Sequence, residues 1–489
     1  MPFDGMPQPW LWGYFLPVGL LLLTWGGLSP HKARRVTPVA ALALALAVVG
    51  YWAVGFAFHL GGAQAVRPDD AALSGLKVLF PLVPRDVGWG FVGLSGFFLS
   101  GPEITPAVLE LFLAYLPLMA SAVLLVTLAL ADTRRWLMVT AGALAGTLVF
   151  PVAACWMWGG GWLAHLGDTL ALGHGFVDFG GGALVLWLPG ALALGILLFQ
   201  ARQTPEDLPT PPPAYFPLLA NLGVLLMGIG WIGWTLSAPF HTSGATWDWN
   251  RAALSALLGM AGATLTSQLY AWLVTGALES LLAARGLAAG WGAALAAAPF
   301  VPPWAALVIG LLGGLLFSFV LYLTNVILRL RDAAATVALG LVGGLWGLLS
   351  VALFADGQGG QGWNGVTATS GSGGVIGVFF GGGAGQLTAQ LVGIVAVGVW
   401  GLLWGGMLGL IANLHLFRRK LAPVVEAVTP PEAVLPPEVA PLSSVALGAL
   451  STEDGKPVLP EAIPEEATQP IPHTEDDDVV KDSQELALT

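Results

Sequence analysis

Residues 156–182 read WMWGGGWLAHLGDTLALGHGFVDFGGG and lie between two long apolar runs. Three glycines follow Trp158, and three more follow Asp178 and Phe179. Because glycine lets backbone segments approach closely, this composition predicts tight packing beside the entrance for a small solute. The alternative is an ordinary interfacial loop, since tryptophan is common where a membrane meets water. Asp178 precedes the apolar run 180–201, so its carboxylate is placed to accept the first N–H groups of a helix.

The composition around this stretch is that of a membrane protein. Of 489 residues, 56% are hydrophobic and 10% are charged, whereas a soluble domain carries about 25% charged residues. We therefore expect a multi-pass protein of the plasma or inner membrane, with the lipid bilayer as its surroundings. The single cysteine, Cys155, excludes an intrachain disulfide and a cysteine-based metal site. The first ten residues hold an acid and no base, which predicts an uncleaved first helix.

The net charge of −11 belongs to the C-terminal segment. Residues 421–489 hold 14 acidic and 2 basic residues, whereas residues 1–420 hold 15 acidic and 16 basic. Eleven prolines and an acidic run at 475–478 predict that this segment is a disordered cytoplasmic tail. We expect two domains, a membrane domain over 1–420 and the tail over 421–489.

Apolar runs long enough to span a bilayer recur through the membrane domain. A spanning helix needs about 20 apolar residues. Runs of that kind, bounded by charge or by proline and glycine turns, predict an all-α polytopic protein of eleven spans: 10–29, 36–60, 109–131, 135–157, 180–201, 216–238, 252–278, 286–302, 303–328, 333–355 and 387–414.

Basic residues fall on alternate sides of these spans. Twelve follow odd-numbered spans, and the other connections hold four, which are Arg67, Lys77, Arg85 and Arg251. By the positive-inside rule, this bias places the N-terminus outside and the C-terminus inside. Five spans followed by five more would enter the membrane in opposite senses. The layout therefore predicts a 5+5 inverted repeat plus one helix, as in transporters with a site between the halves.

The sequence offers little chemistry for an enzyme or a pump. HExxH, CxxC and nucleophile-elbow motifs are absent from the sequence, so we expect no enzymatic activity, cofactor or metal, and no nucleic-acid partner. None of the seven histidines falls in the middle of a predicted span, and the spans hold almost no ionisable residues. An ordinary ion-coupled pump is therefore disfavoured. The glycine-rich segment 356–386 lacks a phosphate-loop motif and is expected to pack over the mouth of the protein.

Six segments, in order, resemble the ammonium transporter, methylammonium permease and Rhesus (Amt/Mep/Rh) family. WMWGGGWLAHLG…VDFGGG is similar to that family's Trp-Gly-Gly-Gly … Asp-Phe-Ala-Gly-Gly block. The other five are WGGLSPHKARR at 25–35, ALADTRRW at 129–136, GIGWIGW at 228–234, LGLVGGLWG at 339–347 and QLTAQLVGIVAVGVW at 386–400. The resemblance covers about residues 10–420. It implies a homotrimer with one pore in each protomer, and a cytoplasmic nitrogen-regulatory protein as a candidate partner at the C-terminal side.

The resemblance also assigns site residues. Trp158 matches the tryptophan of an outer recruitment site, and Asp178 matches a buried aspartate below it. Trp234 and Leu118 stand where the family has two gate phenylalanines. The hydroxyl partner of the recruitment site falls at Ser237 or at residue 238, which is alanine.

Two histidines that face one another in the family's pore are replaced. Leu186 stands at the first position, and Thr336 stands at the second, or Val337 if the register shifts by one. Leucine offers a polar solute no hydrogen bond, which predicts divergent or lost ammonium conduction. The leading hypothesis is therefore a conduit for ammonium, ammonia or another small neutral solute. The alternatives are a non-conducting regulatory or heteromeric subunit of an ammonium-transport or sensing complex, and an unrelated inverted-repeat transporter.

Overall fold

The computed structural model describes residues 9–68, 73–101, 104–204, 214–237, 247–366 and 373–421, so almost all of the predicted tail lies outside the described residues. The chain is mostly helical. The main helices are α1 Trp10–Gly26, α2 Pro30–Val66, α3 Pro106–Ala129, α4 Arg135–Met157, α5 Ala183–Leu197, α6 Pro217–Ser237, α7 Trp249–Thr275, α8 Ser280–Ala297, α9 Pro303–Ile327, α10 Thr336–Phe354 and α11 Gly385–Leu421.

Nine of these helices are long and apolar enough to cross a membrane, by length and composition among the described residues. The other two, α1 and α5, are shorter apolar helices of 10–17 residues. All eleven overlap the eleven runs that the sequence predicts as spans. The structure thus confirms a polytopic arrangement of apolar helices.

The helices pack in a pattern that recurs along the chain. Helix α1 lies against α6, α3 lies against α1, and α8 lies against α6. Helix α2 contacts α3 and α4, just as α7 contacts α8 and α9. Helices α5 and α10 meet one another, and α11 packs along α5.

One helix begins earlier than its predicted range. The sequence predicts a span over 286–302, whereas α8 runs over Ser280–Ala297. Arg285, expected in a connection, lies inside α8, where its side chain is buried and its guanidinium donates to the carbonyl of Ala333 at 2.8 Å. Because this hydrogen bond compensates part of the cost of burial, the charge does not end the helix.

A short β-hairpin is the exception to the predicted all-α class. Strand β1, Leu79–Pro81, pairs antiparallel with β2, Gly90–Gly93, and the register is irregular beside the proline, which has no N–H to donate. The hairpin holds the end of α4 in place. The indole of Trp156 donates to the carbonyl of Phe91 at 3.1 Å, and the Trp162 N–H donates to the Gly90 carbonyl at 2.9 Å.

The glycine-rich segment before α11 lies across the stretch that precedes α5. The Asn364 amide donates to the carbonyls of His174 and Phe176 at 2.8 and 3.1 Å. From the first turns of α11, the Gln390 side chain accepts from the N–H of Val177 at 2.7 Å and donates to the Val177 carbonyl at 2.8 Å. The described part of this segment and the start of α11 therefore contact residues 174–177; that this face is the mouth of the protein stays a prediction.

Candidate functional site

Five rings meet where α4 ends, and we call them the Trp158 cluster: Tyr51, His59, Tyr115, Trp158 and Trp234. Trp158 is the residue directly after α4, and its ring centroid lies 5.5 Å from that of Tyr115 and 5.6 Å from that of Trp234. The His59 ring lies 6.3 Å from Trp158 and 4.7 Å from Tyr115. All five rings are buried, so the cluster is a continuous aromatic contact between α2, α3, α4 and α6.

Glycines on both sides of the Trp158 ring make this packing feasible. A Cβ at Gly159 would overlap the carbonyl oxygen of His59, so only glycine lets the chain pass α2 there. Gly181 has φ +72°, and a Cβ there would lie 3.0 Å from Trp158 and 3.3 Å from Leu118. The two glycine triplets therefore bring α2, α3 and the start of α5 against one tryptophan.

Helix α6 contributes tryptophans that are hydrogen-bonded to neighbouring backbone. The Trp234 indole donates to the carbonyl of Ala114 at 2.8 Å, and the Trp231 indole donates to the carbonyl of Gly180. These bonds fix the side of α6 that faces α3 and the start of α5. Ser237 is the last residue of α6; its side chain and residue 238 lie outside the described residues, so the hydroxyl partner expected there is not placed.

Asp178 lies five residues before the first residue of α5. Its carboxylate accepts from the N–H of Gly182 at 3.0 Å and from the N–H of Ala183 at 2.8 Å, and the side chain is buried. Both contacts are those that the position ahead of an apolar run predicts. The carboxylate therefore satisfies the first donors of α5.

Asp332 has the same relation to α10. Its carboxylate accepts from the N–H of Thr336 at 3.0 Å and of Val337 at 2.8 Å, again four and five residues ahead. When the two helices are compared by counting from these aspartates, Leu186 and Gly340 occupy equivalent positions. Leu186 lies eight residues after Asp178, and Gly340 lies eight residues after Asp332.

Leu186 occupies the place where α5 and α10 cross. The helices approach backbone to backbone, since a Cβ at Gly340 would lie 2.8 Å from the Cα of Gly190. The Leu186 side chain lies over two further glycines, Gly292 of α8 and Gly343 of α10, and a Cβ at Gly343 would lie 2.5 Å from its Cδ1. An apolar side chain thus fills a glycine-lined space between three helices.

Thr336 lies elsewhere on α10. Its side chain is fully buried, and its hydroxyl donates to the carbonyl of Leu125 on α3 at 3.0 Å. The neighbouring Val337 is also buried. The structure therefore brings Trp158, Leu118 and Trp234 together with the start of α5, and it places the Thr336 hydroxyl against the α3 backbone.

His59 lies near the end of the predicted span 36–60, where the sequence indicates no role for it. In the structure it is fully buried, and its Nδ1 lies 2.9 Å from the hydroxyl oxygen of Tyr51. The two residues are eight apart, which places them on one helix face across the π-helical turn Tyr51–Gly55. The spacing of two polar aromatic residues inside an apolar run was the signal that could have found this pair.

Comparison with known proteins gives one family for most of the chain. Residues 11–422 match the model described as the Ammonium Transporter Family. Ammonium transporter 3 of Dictyostelium discoideum is 28% identical over 404 residues, which are 81% of this chain and 83% of that protein. Ammonium transporter Amt2 of Archaeoglobus fulgidus is 24% identical over 357 residues, which are 70% and 69% of the two chains.

Solved structures show the same fold. The crystal structure of Saccharomyces cerevisiae Mep2 has a TM-score of 0.64 at 22% identity, covering 84% of this chain and 89% of that one. A structure described as a sensor Amt protein has a TM-score of 0.63 at 19% identity, covering 83% of this chain and 93% of that chain.

Proposed function

The chain belongs to the ammonium transporter family, and on this premise we propose that it is a conduit in the cell membrane for ammonium, ammonia or another small neutral solute. The family assignment excludes the alternative of an unrelated inverted-repeat transporter. The observation that carries the proposal is the contact of Trp158 and Leu118 with Gly181, two residues before α5. We propose that this contact lines an aromatic and apolar entrance that leads to the crossing of α5 with α10.

The side chains at that crossing favour a neutral solute. Leu186 and Gly340 each lie eight residues after a capping aspartate, and neither residue has a side chain that can hydrogen-bond. Stranding a polar group without a hydrogen bond costs about 1–3 kcal/mol, and a charge costs more. We propose that ammonium is recruited at Trp158, where cation–π attraction contributes ~0.5–2 kcal/mol, and that the uncharged form crosses Leu186.

A second candidate is a non-conducting regulatory or heteromeric subunit of an ammonium-transport or sensing complex. The fit of Leu186 against Gly292 and Gly343 favours it, because the leucine side chain occupies the space between α5, α8 and α10. Uptake into vesicles separates the two candidates.

The experiment is uptake of labelled methylammonium by vesicles that contain the purified full-length protein. We expect faster uptake than in protein-free vesicles, and a reduction of about two- to thirty-fold in Trp158→Ala, because the ring face that attracts the cation is removed. Trp304→Ala is the matched control, since Trp304 is exposed at the start of α9 and lies outside the cluster. Wild-type uptake equal to that of protein-free vesicles would leave the subunit role as the better account.

We also propose the membrane architecture of the protein. It comprises eleven spans, arranged as a 5+5 inverted repeat plus one helix, with the N-terminus outside and the C-terminus inside. The recurring helix contacts and the equal capping by Asp178 and Asp332 support the repeat. We propose a homotrimer of the 50.6 kDa chain, with a nitrogen-regulatory protein as candidate partner at the cytoplasmic C-terminal side. A mass measurement on the protein in native membranes that gives the mass of a single chain would exclude the trimer.

A further inference from the structure

Two polar atoms of the Trp158 cluster have no hydrogen-bond partner within the described part of the chain. They are Nε2 of His59 and the hydroxyl oxygen of Tyr115. The two side chains belong to residues that are 0% and 1% exposed, and their rings meet edge to face at 76°. Buried polar groups are almost always paired in folded proteins. Two such groups on adjacent rings therefore leave two hydrogen-bonding positions side by side for a further partner.

The orientation of the His59 ring is fixed from its other side. The hydroxyl of Tyr51 lies 2.9 Å from Nδ1, so one ring nitrogen is already paired. When Tyr51 donates to Nδ1, Nε2 carries the proton and donates; when Nδ1 donates to Tyr51, Nε2 accepts. In either tautomer, Nε2 is the atom left for a further partner.

The surroundings of this pair are apolar and aromatic. Phe150 lies 6.2 Å from the His59 ring at 90°, and Phe112 stacks on Tyr51 at 5.4 Å. The Trp158 ring lies against both His59 and Tyr115. In such surroundings a hydrogen bond is electrostatically stronger than in water, and the ring faces attract a cation. A ligand for this place must hydrogen-bond to the two polar atoms and be small enough to lie beside the ring faces. A small molecule with N–H donors and one lone pair, or a compact ammonium group, meets both requirements.

We propose that His59 and Tyr115 form a binding site for a small amine, held by Nε2 and the phenol oxygen beside the Trp158 ring. The inference rests on the proposed function, because it names the residues that hydrogen-bond the solute. It assigns to α2 and α3 the polar contacts that Leu186 and Gly340 cannot make at the crossing of α5 and α10. Gly159 contributes by letting the chain after Trp158 lie against the His59 backbone.

The test is a titration of methylammonium chloride into the full-length protein in lipid nanodiscs, with histidine ring nitrogens labelled with ¹⁵N. Sodium chloride at equal ionic strength is the reference, and the His59 signals are assigned by their loss in His59→Gln. We expect a saturable shift of the His59 signals. Tyr115→Phe should raise the apparent Kd about tenfold, the effect of one lost hydrogen bond.

The matched control for Tyr115→Phe is Tyr14→Phe. The Tyr14 hydroxyl donates to the carbonyl of Leu113 on the same helix, α3, at 3.1 Å and is not part of the cluster. Its removal should leave the Kd within about twofold, since surface and half-buried changes away from a site have small effects.

Two results would overturn the site. One is an absence of methylammonium-dependent shifts at His59, as expected if only water pairs with these atoms. The other is an unchanged Kd in Tyr115→Phe, as expected if the cluster only packs. Vesicle uptake keeps this inference separate from the proposed function: uptake that persists without binding at His59 rejects only the site, whereas binding at His59 without uptake rejects only conduction.

Discussion

The Leu186 side chain lies against helices whose facing positions are glycines. A Cβ at Gly343 would meet Leu186 Cδ1 at 2.5 Å, and a Cβ at Gly292 would overlap the same atom. The leucine and the glycines therefore depend on one another, since the methyl groups fit only where no side chain opposes them. Of the two positions predicted to replace histidines, Leu186 is the one whose side chain lies at this crossing, whereas the Thr336 hydroxyl donates to the Leu125 carbonyl.

This dependence predicts coupling between Leu186 and Gly343. Gly343→Ala should destabilise the protein by about 1–3 kcal/mol, because overpacking a dense interior forces neighbours to shift. In the Leu186→Ala background the same change should cost at least about 1 kcal/mol less. Unfolding by denaturing detergent measures the four proteins of the cycle. Gly313→Ala is the control, since a Cβ there meets nothing closer than the Trp346 ring at 3.7 Å. Additive effects at 186 and 343 would contradict the packing.

At the scale of helices, two aspartates start the two helices that cross. Asp178 and Asp332 each accept two backbone N–H groups of the helix that follows, at 2.8–3.0 Å. An unpaired buried N–H costs about 1–3 kcal/mol, so each aspartate fixes where its helix begins. The first residues of α5 and α10, fixed by the two aspartates, determine how Leu186 lies against Gly340 and Gly343.

Removal of either aspartate should therefore have a similar effect. We expect Asp178→Ala and Asp332→Ala each to lower the free energy of unfolding by about 1–3 kcal/mol. Asp86→Ala removes a comparable contact to the N–H of Gly88 in an exposed turn and should cost less than about 0.5 kcal/mol. Thermal or detergent unfolding of the three variants gives the comparison; a cost at Asp178 no greater than at Asp86 would contradict the capping role.

Sequence alone predicts the helices better than the contacts between them. Eleven apolar ranges and the cap at Asp178 follow from local patterns, and the structure has helices at each range. The predicted start of α8 was wrong because Arg285 was expected in a connection. Its hydrogen-bond acceptor, the Ala333 carbonyl, lies far away in the sequence and could not be predicted from local pattern. His59 was missed for the same reason: its partner Tyr51 is local, but Tyr115 and Trp158 join it only through folding.

At the scale of the whole molecule, the chain has the fold of the ammonium transporter family. Polar atoms gather in the Trp158 cluster, in His59 and Tyr115, and the crossing of α5 and α10 is apolar. We propose that the aromatic faces attract a charged solute, which would lose its hydrogen bonds at Leu186. We therefore propose that the solute crosses the protein in its uncharged form.

Charge movement tests this claim most directly. Vesicles containing the protein receive a step of ammonium chloride while internal pH and the current on a solid-supported membrane are recorded together. We predict internal alkalinisation faster than in protein-free vesicles, because entering ammonia takes up a proton, with no saturable current. A saturable inward current evoked by ammonium, lost in Trp158→Ala and retained in Trp304→Ala, would contradict the account.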